Sequence, residues 1–170
     1  MTFFFLVFSS LQLLLPASAE EPVVLVNKAV HELVVYEDGQ RTFQAPAAIG
    51  KTDKLTPEGL FVIKVKAVDP YYRKNNIPGG VPENPLGSRW IGFDAEGTDG
   101  RIYGIHGTNQ PESVGTSASA GCIRLKNDDV ETLYTMIEEE MDVWIVDDPD
   151  VTMEVLYEQW LKNKWQQFLN

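Results

Sequence analysis

Hydrophobic and polar positions change in short blocks along most of this chain. Val23 to Val26 is an apolar run of strand length, and His31 to Tyr36 is a second. Between the latter and Thr42-Phe43-Gln44-Ala45, the segment Glu37-Asp38-Gly39-Gln40 has the turn chemistry of a hairpin. Ala48-Ile49-Gly50 follows, then a turn at Thr56-Pro57-Glu58-Gly59. From Leu60 to Val68 the pattern alternates, with Phe61, Ile63, Val65 and Ala67 on one side and Val62, Lys64, Lys66 and Val68 on the other. Ser88 to Phe93 and Arg101 to Ile105 read as strands joined by a turn over residues 96–100, and Met141 to Val146 as a closing strand. Short strands broken by turns at this rate predict a mainly β domain.

Three segments break the rhythm. Residues 69–87 hold Pro70, Pro78, Pro82 and Pro85 with Gly79, Gly80 and Gly87. Loops of this length are uncommon in compact domains and are often functional lids. Tyr71 and Tyr72 lie inside it, either as substrate contacts or as rings that pin the loop to the surface. A helix is expected from about Asp128 to Glu140, capped by Asn127 or Asp128, with an apolar stripe of Val130, Leu133, Tyr134 and Ile137. Beyond Asp150, Met153, Leu156, Tyr157, Trp160, Leu161, Trp165, Phe168 and Leu169 recur at helical spacing. That tail is expected to dock on the domain. With only Lys162 and Lys164 to meet anionic lipid, a membrane-surface role is the weaker reading.

At 170 residues the chain is about one domain long. A net charge of −11 and a pI near 4.5 exclude nucleic acid as an expected partner, because phosphate backbones repel an acidic surface. Phe3 to Leu15 is almost wholly apolar, and Ala17-Ser18-Ala19 fits a small-residue cleavage pattern. Residues 1–19 are therefore expected to be a signal peptide, 20–147 the folded domain and 148–170 a helical extension, with the protein exported.

Export bears on the single cysteine, Cys122. Oxidising compartments favour disulfides, so a cysteine without an intrachain partner is an intermolecular bridge, a reactive thiol or a small buried hydrophobe. A catalytic thiol needs a base, and the chain has two histidines. His31 is expected on a surface strand. His106 ends a strand and enters the turn Gly107-Thr108-Asn109, a place from which a ring projects into a site. Cys122 follows in Ser119-Ala120-Gly121-Cys122-Ile123-Arg124-Leu125, where small residues keep the thiol accessible. The N–H groups of Gly121 and Cys122 are candidates for an oxyanion hole. On spacing alone this pairing is only suggestive.

His106-Gly107-Thr108, then Ser119-x-Gly121-Cys122-Ile123-Arg124-Leu125, Asn127 and Asp129 resembles the signature of the L,D-transpeptidases of the YkuD type. Gly50-Lys51 with Thr56-Pro57-x-Gly59-x-Phe61, and Asn84-Pro85-Leu86-Gly87, extend the resemblance to roughly residues 23–147. It implies a β sandwich or barrel with one packed helix. It further implies that Cys122 attacks a tetrapeptide stem of peptidoglycan, that His106 is the base, and that the Gly107 carbonyl orients the imidazole. D-Alanine leaves, and an amine of a neighbouring stem takes the acyl group in a 3-3 cross-link. Carbapenems are expected to trap the thiol. Ser119, Arg124, Tyr71 and Tyr72 are the expected substrate contacts, though Arg124 fits a loop-anchoring salt bridge equally well. No metal or cofactor is expected. Ala120 departs from the pattern, since many such sequences carry histidine there. Two rival readings are an L,D-carboxypeptidase, with water as acceptor, and a non-catalytic wall-binding protein.

Overall fold

Four apolar residues in a row need cover on both faces, and the architecture supplies it for Val23 to Val26. A computed structural model of the chain describes residues 22–52 and 54–169, so the expected signal peptide lies outside the described residues. The strands are β1 (Val23–Asn27), β2 (Glu32–Glu37), β3 (Gln40–Pro46), β4 (Ile49–Gly50) and β5 (Gly59–Val68). They continue with β6 (Arg89–Phe93), β7 (Tyr103–His106), β8 (Ser117–Ser119), β9 (Ile123–Arg124) and β10 (Asp142–Val146). Helix α1 spans Asn127–Met136 and α2 spans Met153–Leu169. Eight strands form one curled sheet in the order β3-β2-β1-β10-β5-β6-β7-β9, and β4 pairs with β8 in a small second sheet.

The large sheet has a core on each side. Val24 and Val26 point with Ile63, Ile91, Phe93, Ile105 and Ile123 into the main core, which α1 closes with Val130 and Leu133. Val23 and Leu25 point the other way, with Val34 and Tyr36, onto Met153, Leu156, Tyr157 and Trp160 of α2. The tail thus docks on the sheet. Tyr36 and Tyr157 stack with ring centroids 4.4 Å apart, and Trp160 Nε1 donates to Asp142 Oδ2 at 2.8 Å. Among the described residues no helix is long and apolar enough to cross a membrane.

Several local expectations change. His31 is not in a strand: it sits in the β1–β2 turn with φ 55°, and its Nε2 is 3.0 Å from Ser117 Oγ. The alternation over β5 does not divide a wet face from a dry one, because only Ile63 is fully buried, while Val65 and Ala67 line a cavity. Helix α1 stops at Met136, where Ile137 turns extended and drops into the core. Glu138, Glu139 and Glu140 would sit badly at the negative end of a longer helix. Its N-cap position is Lys126, with no side-chain cap bond, because Asn127 is used elsewhere. Finally, β10 closes no edge. It lies mid-sheet, parallel to β1 and antiparallel to β5.

Because Trp160 is 1 % exposed and bonded to a buried carboxylate, Trp160→Phe is expected to destabilise the protein by about 1–3 kcal/mol. Urea unfolding measures this. An unchanged midpoint would mean that α2 contributes nothing to the stability of the sheet.

Candidate active site around Cys122 and His106

Strands β7 and β9 run parallel, with Ile105 opposite Ile123 and His106 opposite Arg124. Both isoleucines are fully buried, so alternation turns the intervening side chains toward the other face. The pairing brings Cys122, just before β9, alongside the strand that ends in His106. Their neighbourhood is a cavity of about 570 Å³ whose walls include Tyr71, Tyr72, Trp90, Arg101, Ile102 and Cys122.

His106 is 4 % exposed. Its Nδ1 lies 2.6 Å from Gly107 O, and since a carbonyl only accepts, Nδ1 carries the proton and Nε2 is left as the basic nitrogen. Trp90, directly opposite on β6, stacks on the imidazole at 5.6 Å and anchors its own Nε1–H on Gly100 O at 2.9 Å. Burial lowers the His106 pKa to about 4, with the Arg124 charge acting in the same direction and the carbonyls of Gly107 and Leu86 opposing it. The resting imidazole is therefore neutral. Burial also raises the Cys122 pKa, against the backbone of Gly104 and the charge of Arg124. The sulfur is a thiol at rest, and its Sγ–H donates to Ile102 O at 3.5 Å.

The nucleophile's loop is held by two hydroxyls. Ser119 Oγ accepts from Gly121 N at 3.0 Å and donates to Cys122 O at 2.6 Å. Ser119 is 1 % exposed and shapes the loop through these two bonds. The Gly121 N–H is therefore not a free oxyanion donor in this conformation. Thr56, also 1 % exposed, accepts from Gly50 N at 2.8 Å and donates to Gly121 O at 3.0 Å. Gly121 has φ 136°, and a Cβ there would lie 2.6 Å from Leu55 O, so only glycine follows this path.

The histidine's turn is held by Asn127. Its Oδ1 accepts from Thr108 N at 3.1 Å and from Ser88 N at 3.3 Å. A Cβ on Gly107 would sit 2.1 Å from that oxygen, so the turn closes around the amide only because position 107 is bare. Residues 69–87 form an ordered flap: Asn84, 1 % exposed, donates to Pro70 O at 2.8 Å and to Pro78 O at 2.9 Å. Tyr71 and Tyr72 on this flap line the cavity, and the Tyr71 hydroxyl donates to Asn76 Oδ1. Arg124 bonds through its backbone to Ala48, and among the described residues its guanidinium has no ion-pair partner. The loop-anchoring salt bridge is thus not found.

Sequence reasoning missed the parts played by Thr56, Trp90, Arg101 and Asn127. Thr56 and Asn127 stood inside recognised motifs. Trp90 is a tryptophan in a strand near the histidine, and nothing local tells which ring it will face.

A family model described as the L,D-transpeptidase catalytic domain, YkuD, matches residues 21–146. The Bacillus subtilis protein YqjB, named as an L,D-transpeptidase, is 59 % identical over 128 residues, covering 75 % of this chain and 73 % of its own. ErfK/SrfK of Salmonella typhimurium, also named so, is 33 % identical over 81 % of this chain and 48 % of its own. Most of the curated relatives are longer still, and the chain spans about half their length. The catalytic domain of the Enterococcus faecium L,D-transpeptidase, solved by NMR, superposes with a TM-score of 0.58 at 27 % identity, covering 74 % of this chain and 97 % of that one.

Two outcomes follow from this geometry. Thr56→Val strands the Gly50 N–H and the Gly121 carbonyl together, and is expected to cost about 1–3 kcal/mol and slow thiol alkylation, whereas Thr56→Ser retains both bonds. Differential scanning calorimetry with iodoacetamide labelling tests this, and equal behaviour of the two variants would contradict it. The second outcome concerns pH. The His106 pKa is lower folded than unfolded, so between pH 6.5 and about 4 the unfolded chain gains a proton that the native state refuses. Stability should fall across that window by on the order of 3 kcal/mol, and His106→Gln should remove that part of the slope. Urea unfolding of both proteins from pH 7 down to 4 reads it, and parallel profiles would refute a buried neutral ring.

Proposed function

The chain belongs to the L,D-transpeptidase catalytic-domain family, and on that premise we propose that it is an exported cysteine acyltransferase acting on peptidoglycan stem peptides. The observation that carries this reading is Trp90, which lines one cavity with the chain's only thiol and stacks on the imidazole of His106. A thiol and a base that share a wall, in a cleft open to solvent, suit attack on a peptide carbonyl.

In the proposed cycle His106 Nε2 takes the Cys122 proton as the sulfur adds to the carbonyl of the third stem residue. A neutral imidazole is the competent form, and the Gly107 carbonyl stabilises the imidazolium as it forms. The Cys122 N–H meets the developing oxyanion, and the Gly121 N–H joins it only by exchanging its Ser119 partner. The C–N bond then breaks, the leaving D-alanine amine takes the proton from His106, and a thioester remains on Cys122. An amine of a neighbouring stem attacks this thioester. Its proton passes through His106 to the departing thiolate, which leaves a 3-3 cross-link. The flap tyrosines hold the donor stem, and Arg124 meets a carboxylate. Because peptidoglycan lies outside the membrane, the enzyme works there after export.

Purified protein with tetrapeptide-bearing wall fragments should release D-alanine and give a dimer of matching mass; release without dimer would mean that water is the acceptor. A carbapenem should add once, on Cys122, at neutral pH. Cys122→Ala should abolish the adduct, and His106→Ala should slow it by roughly 100-fold or more. Intact-protein mass spectrometry reads all of these, and folded, reduced wild type that stays unmodified would overturn the reading.

A further inference from the structure

The protein is strongly acidic, yet the lining of this cavity is not. Net charge is −11, while the lining of the cavity around Cys122 contains Arg73, Lys74 and Arg101 and no aspartate or glutamate. Arg73 and Lys74 open the short 3-10 turn Arg73–Asn75 of the flap, and neither has an ion-pair partner among the described residues. Arg101 pairs with the exposed carboxylate of Asp99, and the hydrogen bond from Arg101 lowers the Asp99 pKa. The Arg124 charge acts on both His106 and Cys122.

Such an arrangement has a cost and a use. Like charges on a flap repel one another, and an acidic surface around them repels acidic ligands at a distance. Screening confines each field to about 8 Å at physiological ionic strength, so inside the cavity the local cations decide what enters. Aliphatic and aromatic surface sits beside them: Ile102 is 62 % exposed and Tyr71 50 % exposed on the same rim. An occupant that satisfies both features is a peptide with short apolar side chains and several free carboxylates. Asn84 ties the flap to its own backbone at two points, so the backbone that carries Arg73 and Lys74 is anchored on either side of them.

We infer that the Arg73-Lys74 turn and Arg101 form a carboxylate subsite that makes the enzyme select stem peptides with free side carboxyls over the same stems with those carboxyls amidated. This rests on the stem-peptide reading above and adds the substrate class. The subsite is separate from the thiol and its base, and it acts on binding, not on proton transfer.

The test uses the full chain carrying Cys122→Ala, so that binding is measured without turnover. Two synthetic tetrapeptides, a free acid and its side-chain carboxamide, are titrated at low and at high salt. The free acid is expected to bind about tenfold more tightly at low salt, with the difference shrinking as salt rises. Adding Arg73→Gln, Lys74→Gln and Arg101→Gln should bring the two affinities within about twofold of each other. Lys64→Gln, which removes a cation paired with Glu140 outside the cavity, should leave the preference unchanged. Equal binding of the two peptides by the parent protein, or a preference that survives in the triple variant, overturns the inference and leaves the acyltransfer reading intact. A preference that holds while protein with Cys122 restored forms no thioester with either peptide overturns the acyltransfer reading and leaves the subsite.

Discussion

Ile105 and Ile123 face each other across two short parallel strands, and the site hangs from that pair. Both side chains are wholly removed from water. A slip of one residue would put His106 or Arg124 into the apolar core, so burial enforces the register. Parallel strands cannot be joined by a tight turn and need a long crossover. Here residues 107–122 make it: the crossover leaves β7 through the turn after His106 and enters β9 through the loop of Cys122. Its middle is tethered by the pairing of β8 with β4, and its two ends by Asn127 and Thr56. The scaffold thus holds both ends of one loop near Trp90, which stacks on His106 and lines the cavity with Cys122.

Burial also sets the resting chemistry. Desolvation by the surrounding protein acts on both His106 and Cys122 and disfavours the imidazolium and the thiolate alike. The free site is therefore a neutral pair. The fixed Nδ1–H···O=C bond leaves Nε2 as the nitrogen that would take up and return a proton in the proposed cycle. No carboxylate is used to orient the ring, so no buried charge needs a partner there.

Away from the site, the sheet is stabilised from both sides. Helix α1 covers one face, and α2, which lies beyond the part of the chain matched by the catalytic-domain family, covers the outer face of β1 and β2. The apolar residues of α2 from Met153 to Leu161 are spent on this contact, with Asp142 as the polar anchor for Trp160 and Lys164.

The sequence by itself determined the strand-rich class, the turn at Asp38-Gly39, the existence of both helices, and the candidate pair Cys122 and His106. These are local matters: period-2 and helical spacing, turn residues with positive φ, and one thiol with few bases to choose from. Tertiary structure alone decided that β10 sits in the middle of the sheet, that α1 ends at Met136, and that His31 belongs to a turn. It also decided that the Ser119 hydroxyl is bonded to Gly121 N and Cys122 O within its own loop. It chose the partners of Thr56, Trp90 and Asn127, and it gathered Arg73, Lys74 and Arg101 on one rim. Each of these depends on contacts between residues far apart in the chain, where strand order and register decide what a side chain meets. No periodicity encodes that, because the same residue presents the same pattern whichever neighbour the sheet places beside it.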